Sequence, residues 1–133
     1  MSEVSLTRRW LRLEDEAIWT YGLIGARVPD LRAAARRQVT AHKTTRDRLL
    51  AVLASLGGEP GVAPPTYDVA PPDDAGAGRA LAQDVEARIA ACCVRLVAVT
   101  TDDARDRATA GLRTAALTGL RWDAPATPFP GLA

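Results

Sequence analysis

A chain of 133 residues has room for one domain whose apolar core needs neither metal nor disulfide staples. Charged residues make up 25% of it and the net charge is +1, a near-balance that excludes a general binder of phosphate backbones, which needs a positive surplus on one face. No run approaches the roughly 18 uninterrupted apolar residues of a membrane span.

The predicted elements, in chain order, are all helical, because no sustained alternation of period two marks a strand. The N-terminal stretch "MSEVSLTRRWLRLEDEA" is charged throughout and lacks the apolar core of a secretory leader. It opens a first helix, over about 3–28, in which Leu6, Trp10, Leu13, Ala17, Tyr21, Ile24 and Val28 recur at spacings of three and four. Pro29 breaks the hydrogen-bond ladder and Asp30 favours a new start. The second helix, about 30–57, carries Leu31, Ala35, His42, Leu49, Val52, Leu53 and Leu56 on one face until "GGEPG" stops it. The third, about 76–100, has Leu81, Val85, Ile89, Cys92, Leu96 and Val99 inward. Thr101 or Asp102 caps the fourth, about 102–122, with Ala104, Ala108, Leu112, Ala115, Gly119 and Trp122 on its inner stripe. This helix is the weakest, since Gly111, Gly119 and three threonines lower its propensity. A proline-rich tail, 124–133, should lie extended across the bundle with Phe129 and Leu132 as anchors.

Short turns make each pair of helices an antiparallel hairpin. Between the hairpins lies a crossover, 57–78, rich in Pro, Gly and Asp. A helix of about 26 residues is roughly 39 Å long, whereas an extended run of about 22 residues reaches roughly 70 Å. The linker can therefore cross the whole bundle and start the third helix at the opposite end, the topology of ferritin-like folds. The chain is thus expected to be a single all-α domain, 1–133, a ferritin-like four-helix bundle of two hairpins.

Ferritin-like carboxylate bundles build a two-metal centre from one Glu on each of two helices and a Glu-x-x-His on each of the others. The stretch "LEDEAIWTYGLIGARVPDLRAAARRQVTAHKTTRDRLLAVL", the proline-rich crossover and the terminal "PATPFPGL" resemble the small ferritin-like domain proteins of unknown function from high-GC bacteria. The resemblance covers nearly the whole chain. Its most specific parts are the Tyr-Gly pair after the first-helix glutamate, the "AH…RD" of the second helix and the final "FPGL". It implies a ferritin-like fold and no activity.

Carried over residue by residue, the metal pattern is half met. Glu14 matches the first-helix glutamate, with Tyr21 on the same face, and Glu86 matches the third-helix glutamate. His42 matches the second-helix histidine, but Val39 stands where its partner carboxylate belongs. The fourth helix, "RTAALTGLRW", offers neither carboxylate nor imidazole. Two readings follow. Without a metal, Glu14, His42, Glu86 and Tyr21 form a buried polar network in the position of a lost site, the favoured reading, or Arg46 or Arg88 pairs with the glutamates instead, or one or both glutamates lean outward to water. Alternatively Glu14, His42 and Glu86 hold one iron, manganese or zinc ion, for which two carboxylates and an imidazole are a reasonable set. Glu16, beside Arg9 and Arg12, reads as solvated.

No other catalytic constellation stands out. "GAGRA" lacks the lysine and preceding strand of a phosphate loop, and Ser2, Ser5 and Ser55 have no histidine at motif spacing. The cluster of Arg32, Arg36 and Arg37 reads as a solvated face and no nucleic acid is expected. The adjacent Cys92 and Cys93 read as buried apolar residues in a reducing cytoplasm. The expected function is a non-enzymatic binding or assembly module without a cofactor, acting as a homodimer; Trp19, Leu23 and Leu120, off the inner stripes, form either an outward patch for a partner helix or apolar flanks inside the bundle. A metal-dependent oxidase or ferroxidase using Glu14, His42 and Glu86 is the alternative. A pocket for a small molecule, left where bulky ligands are missing, is a third.

Overall fold

Ser2 and Ser5 satisfy the first backbone donors of the opening helix reciprocally, each side chain bonding the other's backbone N–H at 3.0–3.1 Å. From this cap α1 (Glu3–Arg27) runs unbroken for 25 residues, about 37 Å. A 3-10 turn, Pro29–Leu31, reverses the chain into α2 (Arg32–Ser55), and α3 (Ala75–Val99) and α4 (Asp102–Arg121) follow. The structure, a computed structural model, describes residues 1–132, and Ala133 at the end of the expected tail lies outside the described residues. Those residues contain four helices longer than one turn and no strand. The fold is an all-α four-helix bundle.

The turn between the first two helices spans residues 28–31, longer than the single residue between the expected helices, because Pro29 sets a tight 3-10 turn before the α-helical ladder begins. Gly57, at φ 72°, ends α2 in the left-handed conformation that glycine adopts without strain, and Gly58 N–H bonds back to Leu53 O at 2.9 Å. Asp74 caps α3 through Ala77 N–H at 2.8 Å. Thr101 occupies the N-cap position of α4, but its side chain makes no capping bond, and Asp102 begins the helix at φ 51°.

The crossover runs the length of α1. Arg8 bonds Glu59 O at 2.7 Å and Arg12 bonds Pro60 O at 2.8 Å near one end. Tyr67 packs on Trp19 at 5.9 Å midway, and Asp73 pairs with Arg27 at 3.4 Å near the other end. α3 therefore begins beside the end of α1, where Gly78 sits against Ile24, Val28 and Leu31. It finishes beside the start of α1, where Cys92 Sγ reaches Leu6 O at 3.4 Å. The helices run up, down, down, up. α1 packs on α2 and on α3, and α3 packs on α4, but the Cα atoms of α2 and α4 nowhere come within 8 Å of each other. One side of the bundle is thus parted over its core.

That core is built from Leu6, Trp10, Ile24, Leu49, Leu53, Val85, Trp122 and both cysteines, as the sequence suggested, with Leu11 added from beside the expected stripe. Three expectations need correction. Val99 is half-exposed, because α3 ends there and its last turn extends past the core. Phe129 and Leu132 do not anchor the tail: both are about two-thirds exposed. The tail is held instead by Trp122, whose carbonyl accepts from Gln83 at 2.6 Å, and by Gly131, where a Cβ would come within 2.8 Å of Ala90 O. Trp19, Leu23 and Leu120 do not form one patch. Trp19, still 38% exposed, packs on Tyr67 of the crossover, and Leu120 stands on α4, whose Cα atoms nowhere come within 8 Å of those of α1.

Candidate functional site

Glu14, His42 and Glu86 stand near the middle of α1, α2 and α3, and the bundle turns all three inward. Each is buried, Glu14 to 3%, His42 to 7% and Glu86 to 2% exposure. Burying two carboxylates is costly unless each is paired, and here the pairs are made by the imidazole between them. His42 Nδ1 contacts Glu14 Oε2, and Nε2 contacts Glu86 Oε1 at 2.8 Å. A carboxylate accepts and does not donate, so both ring nitrogens carry protons and the ring is an imidazolium. The arrangement is an alternating chain of carboxylate, cation and carboxylate drawn from three helices.

Two aromatic donors complete it. Trp10, one turn before Glu14, donates its indole N–H to Glu14 Oε1 at 2.9 Å. Tyr21 donates its hydroxyl to Glu86 Oε1 at 2.8 Å and lies stacked on the His42 ring, centroids 5.4 Å apart. Trp122 also packs on Tyr21, tilted, with ring centroids 5.4 Å apart. α4 supplies no polar group to the chain of bonds, only the close approach that Gly111 permits. A Cβ there would sit 2.5 Å from the Trp10 ring. The glycine that weakens α4 as a helix is the one that admits the indole.

Burial pulls the His42 pKa down, but the hydrogen bonds and negative charges of Glu14 and Glu86 outweigh it and lift the ring to about 9. The Tyr21 hydroxyl is raised far above its ordinary range, first by burial and then by the charge of Glu86, so it stays a donor. Burial likewise raises Cys92 to about 11 and Cys93 further, leaving both as inert thiols.

The structure therefore brings together the four residues read from the sequence and adds Trp10, whose signal was its one-turn spacing from Glu14. It does not bring Arg46 or Arg88 to them. Arg46 pairs with its neighbour Asp47, and Arg88 reaches Glu16 at 2.7 and 2.8 Å. Glu16 is thus bridged to α3 and is not simply solvated.

The donor set fits a metal centre poorly. The two glutamates lie on opposite edges of the imidazole, so one ion meets at most one ring nitrogen and the glutamate on that edge, and both ring nitrogens are already donors. Val39 is packed against the core, and α4 faces the site with Gly111, Thr114, Ala115 and Thr118. Among the described residues no group of three or more His, Cys, Asp or Glu side chains is arranged to hold a metal ion.

Two openings reach the network. The gap between α2 and α4 forms a cleft of about 170 Å³ over Glu14, His42 and Glu86, with Arg48 and Arg107 among its lining. A larger groove, about 490 Å³, lies between α3, α4 and the tail, and Glu86 contributes to its wall as well.

A family model described as a domain of unknown function, DUF4439, matches residues 7–133. The chain belongs to the DUF4439 family. No curated protein matches it. Among solved structures it is similar to a conserved hypothetical protein, rv2844, from Mycobacterium tuberculosis, with a TM-score of 0.84 and 22% identity over 94% of each chain. At that identity the likeness shows a shared fold and nothing of activity. Among the described residues, no helix of this DUF4439 chain is long and apolar enough to cross a membrane.

Proposed function

We propose that the protein is a non-enzymatic binding module, a ferritin-like bundle in which an imidazolium ion stands where the fold's metal would be. The observation that carries this reading is the engagement of both His42 ring nitrogens by carboxylates of different helices. A ligating histidine needs one bare nitrogen, and a general base needs a lone pair near neutral pH. His42 offers neither while it bridges Glu14 and Glu86. The reading is further supported by the missing ligands at Val39 and on α4.

The alternative, a mononuclear iron, manganese or zinc site serving an oxidase, is favoured by one feature, the cleft between α2 and α4 that opens onto the same three residues. Elemental analysis separates the two. Protein purified without an affinity tag or chelator should carry negligible metal, in the wild type and in His42→Ala alike. Near-stoichiometric metal in the wild type that is lost in His42→Ala would replace the binding module by the oxidase. Light scattering at micromolar concentration tests the homodimer, and a strict monomer across that range would remove it.

A further inference from the structure

The groove between α3, α4 and the tail differs in character from the rest of the surface. Its walls are small and apolar: Ala87, Ala90, Ala116, Gly119, Leu120 and Pro130. Sixteen arginines are spread over the chain, yet none lines it, and its only charged members are Asp84 and Glu86. Asp84 is turned outward to Arg88 at 3.0 Å. Glu86 is the one buried charge of the wall.

Glu86 is also incompletely used. Oε1 accepts from both Tyr21 and His42, while Oε2 accepts from no group among the described residues. Among the described residues the single sealed side-chain oxygen or nitrogen without a partner is Tyr67 Oη, so Glu86 Oε2 is not sealed from the two openings that Glu86 lines. The charge count points the same way. Two buried carboxylates face one imidazolium, and buried charges are ordinarily paired. The two share that one cation, and Arg48 and Arg107 line the α2–α4 cleft and not this groove.

We infer that the groove is a binding site for a lipophilic amine, whose ammonium group bonds Glu86 Oε2 while its apolar body lies along the alanines of α3 and α4. A volume near 490 Å³ is within the range of small-molecule pockets, and such pockets pair apolar walls with a few placed polar groups. An anionic ligand would meet Glu86 and Asp84 with no compensating base. A bare metal ion would gain nothing from walls of alanine, glycine and proline. The chain's own Phe129 does not fill the groove, being two-thirds exposed. The inference rests on the binding-module reading and gives it a ligand class.

The test is titration of the full chain with hexylamine, hexanol and hexanoate, followed by amide chemical shifts, with metal content measured on the same preparation. Hexylamine should bind saturably and shift residues of α3, α4 and the tail; hexanol should bind more weakly and hexanoate not at all. In Glu86→Gln the hexylamine affinity should fall roughly tenfold or more, as loss of a charged hydrogen bond implies. Ala116→Leu, which leaves the buried network untouched, should abolish binding by filling the groove. Equal binding of all three probes, unaltered affinity in Glu86→Gln, or no hexylamine binding to the folded wild type would overturn the proposal. Stoichiometric metal with hexylamine binding intact would overturn only the metal-free reading of the bundle centre.

Discussion

Titration of the single histidine should be visible in the stability of the whole bundle. His42 releases its proton near 6.5 in the unfolded chain and near 9 in the folded one, because Glu14 and Glu86 hold the charged ring. Below 6.5 both states carry the proton and the stabilisation is complete. Between 6.5 and 9 only the folded state keeps it, so unfolding releases a proton and rising pH favours unfolding. Above 9 the contribution is gone. At about 1.4 kcal/mol per pH unit, the loss across this window is on the order of 3 kcal/mol. Urea denaturation followed by tryptophan fluorescence measures it, since Trp10 and Trp122 are both buried. His42→Ala leaves two buried carboxylates without their cation and should cost roughly 3–5 kcal/mol at neutral pH, and its stability should lose this dependence on pH. A flat profile between 6.5 and 9, or the same slope in His42→Ala, would refute the imidazolium bridge.

Other outcomes follow from the same geometry. Tyr21→Phe removes a buried donor from Glu86 and should destabilise the protein by about 1–3 kcal/mol in the same assay; a change near zero would mean that the 2.8 Å bond carries no weight. Gly111→Ala should destabilise by roughly 1–3 kcal/mol despite its better helix propensity, because the new Cβ would meet the Trp10 ring at 2.5 Å. Gly119→Ala, whose Cβ would meet nothing closer than Ala124 at 3.7 Å, should instead stabilise by roughly 0.5–1 kcal/mol, and thermal melts of the pair should move in opposite directions. Cys92 and Cys93 should react with a thiol reagent only after unfolding, since burial keeps both protonated; rapid labelling of the native protein at pH 8 would contradict their placement.

The helices were legible because their apolar residues repeat at helical spacing, and the topology because the crossover is long enough to span the bundle. The faces of the helices were legible too, which is why Glu14, Tyr21, His42 and Glu86 could be gathered on paper. Side-chain partners were not. Whether Arg88 turns toward Glu86 or toward Glu16 depends on the rotation of α3 against α1, which periodicity leaves open by tens of degrees. The same holds for Trp10: its spacing put it on the face of Glu14, but its role as donor depends on the room that Gly111 leaves on α4. The tail was misread for a different reason. Phe129 and Leu132 are the apolar residues of that segment, yet close approach to the backbone of α3 is available only to Gly131.

The central claim is that a proton on His42, and not a metal ion, joins the two buried glutamates. Long-range proton–nitrogen correlation of the imidazole tests it directly, and a single histidine makes assignment unnecessary. At pH 7.5 both ring nitrogens should appear protonated, unchanged by chelator or by added zinc or ferrous iron. One bare nitrogen, or a ring signal that shifts or broadens when metal is added, would contradict the account.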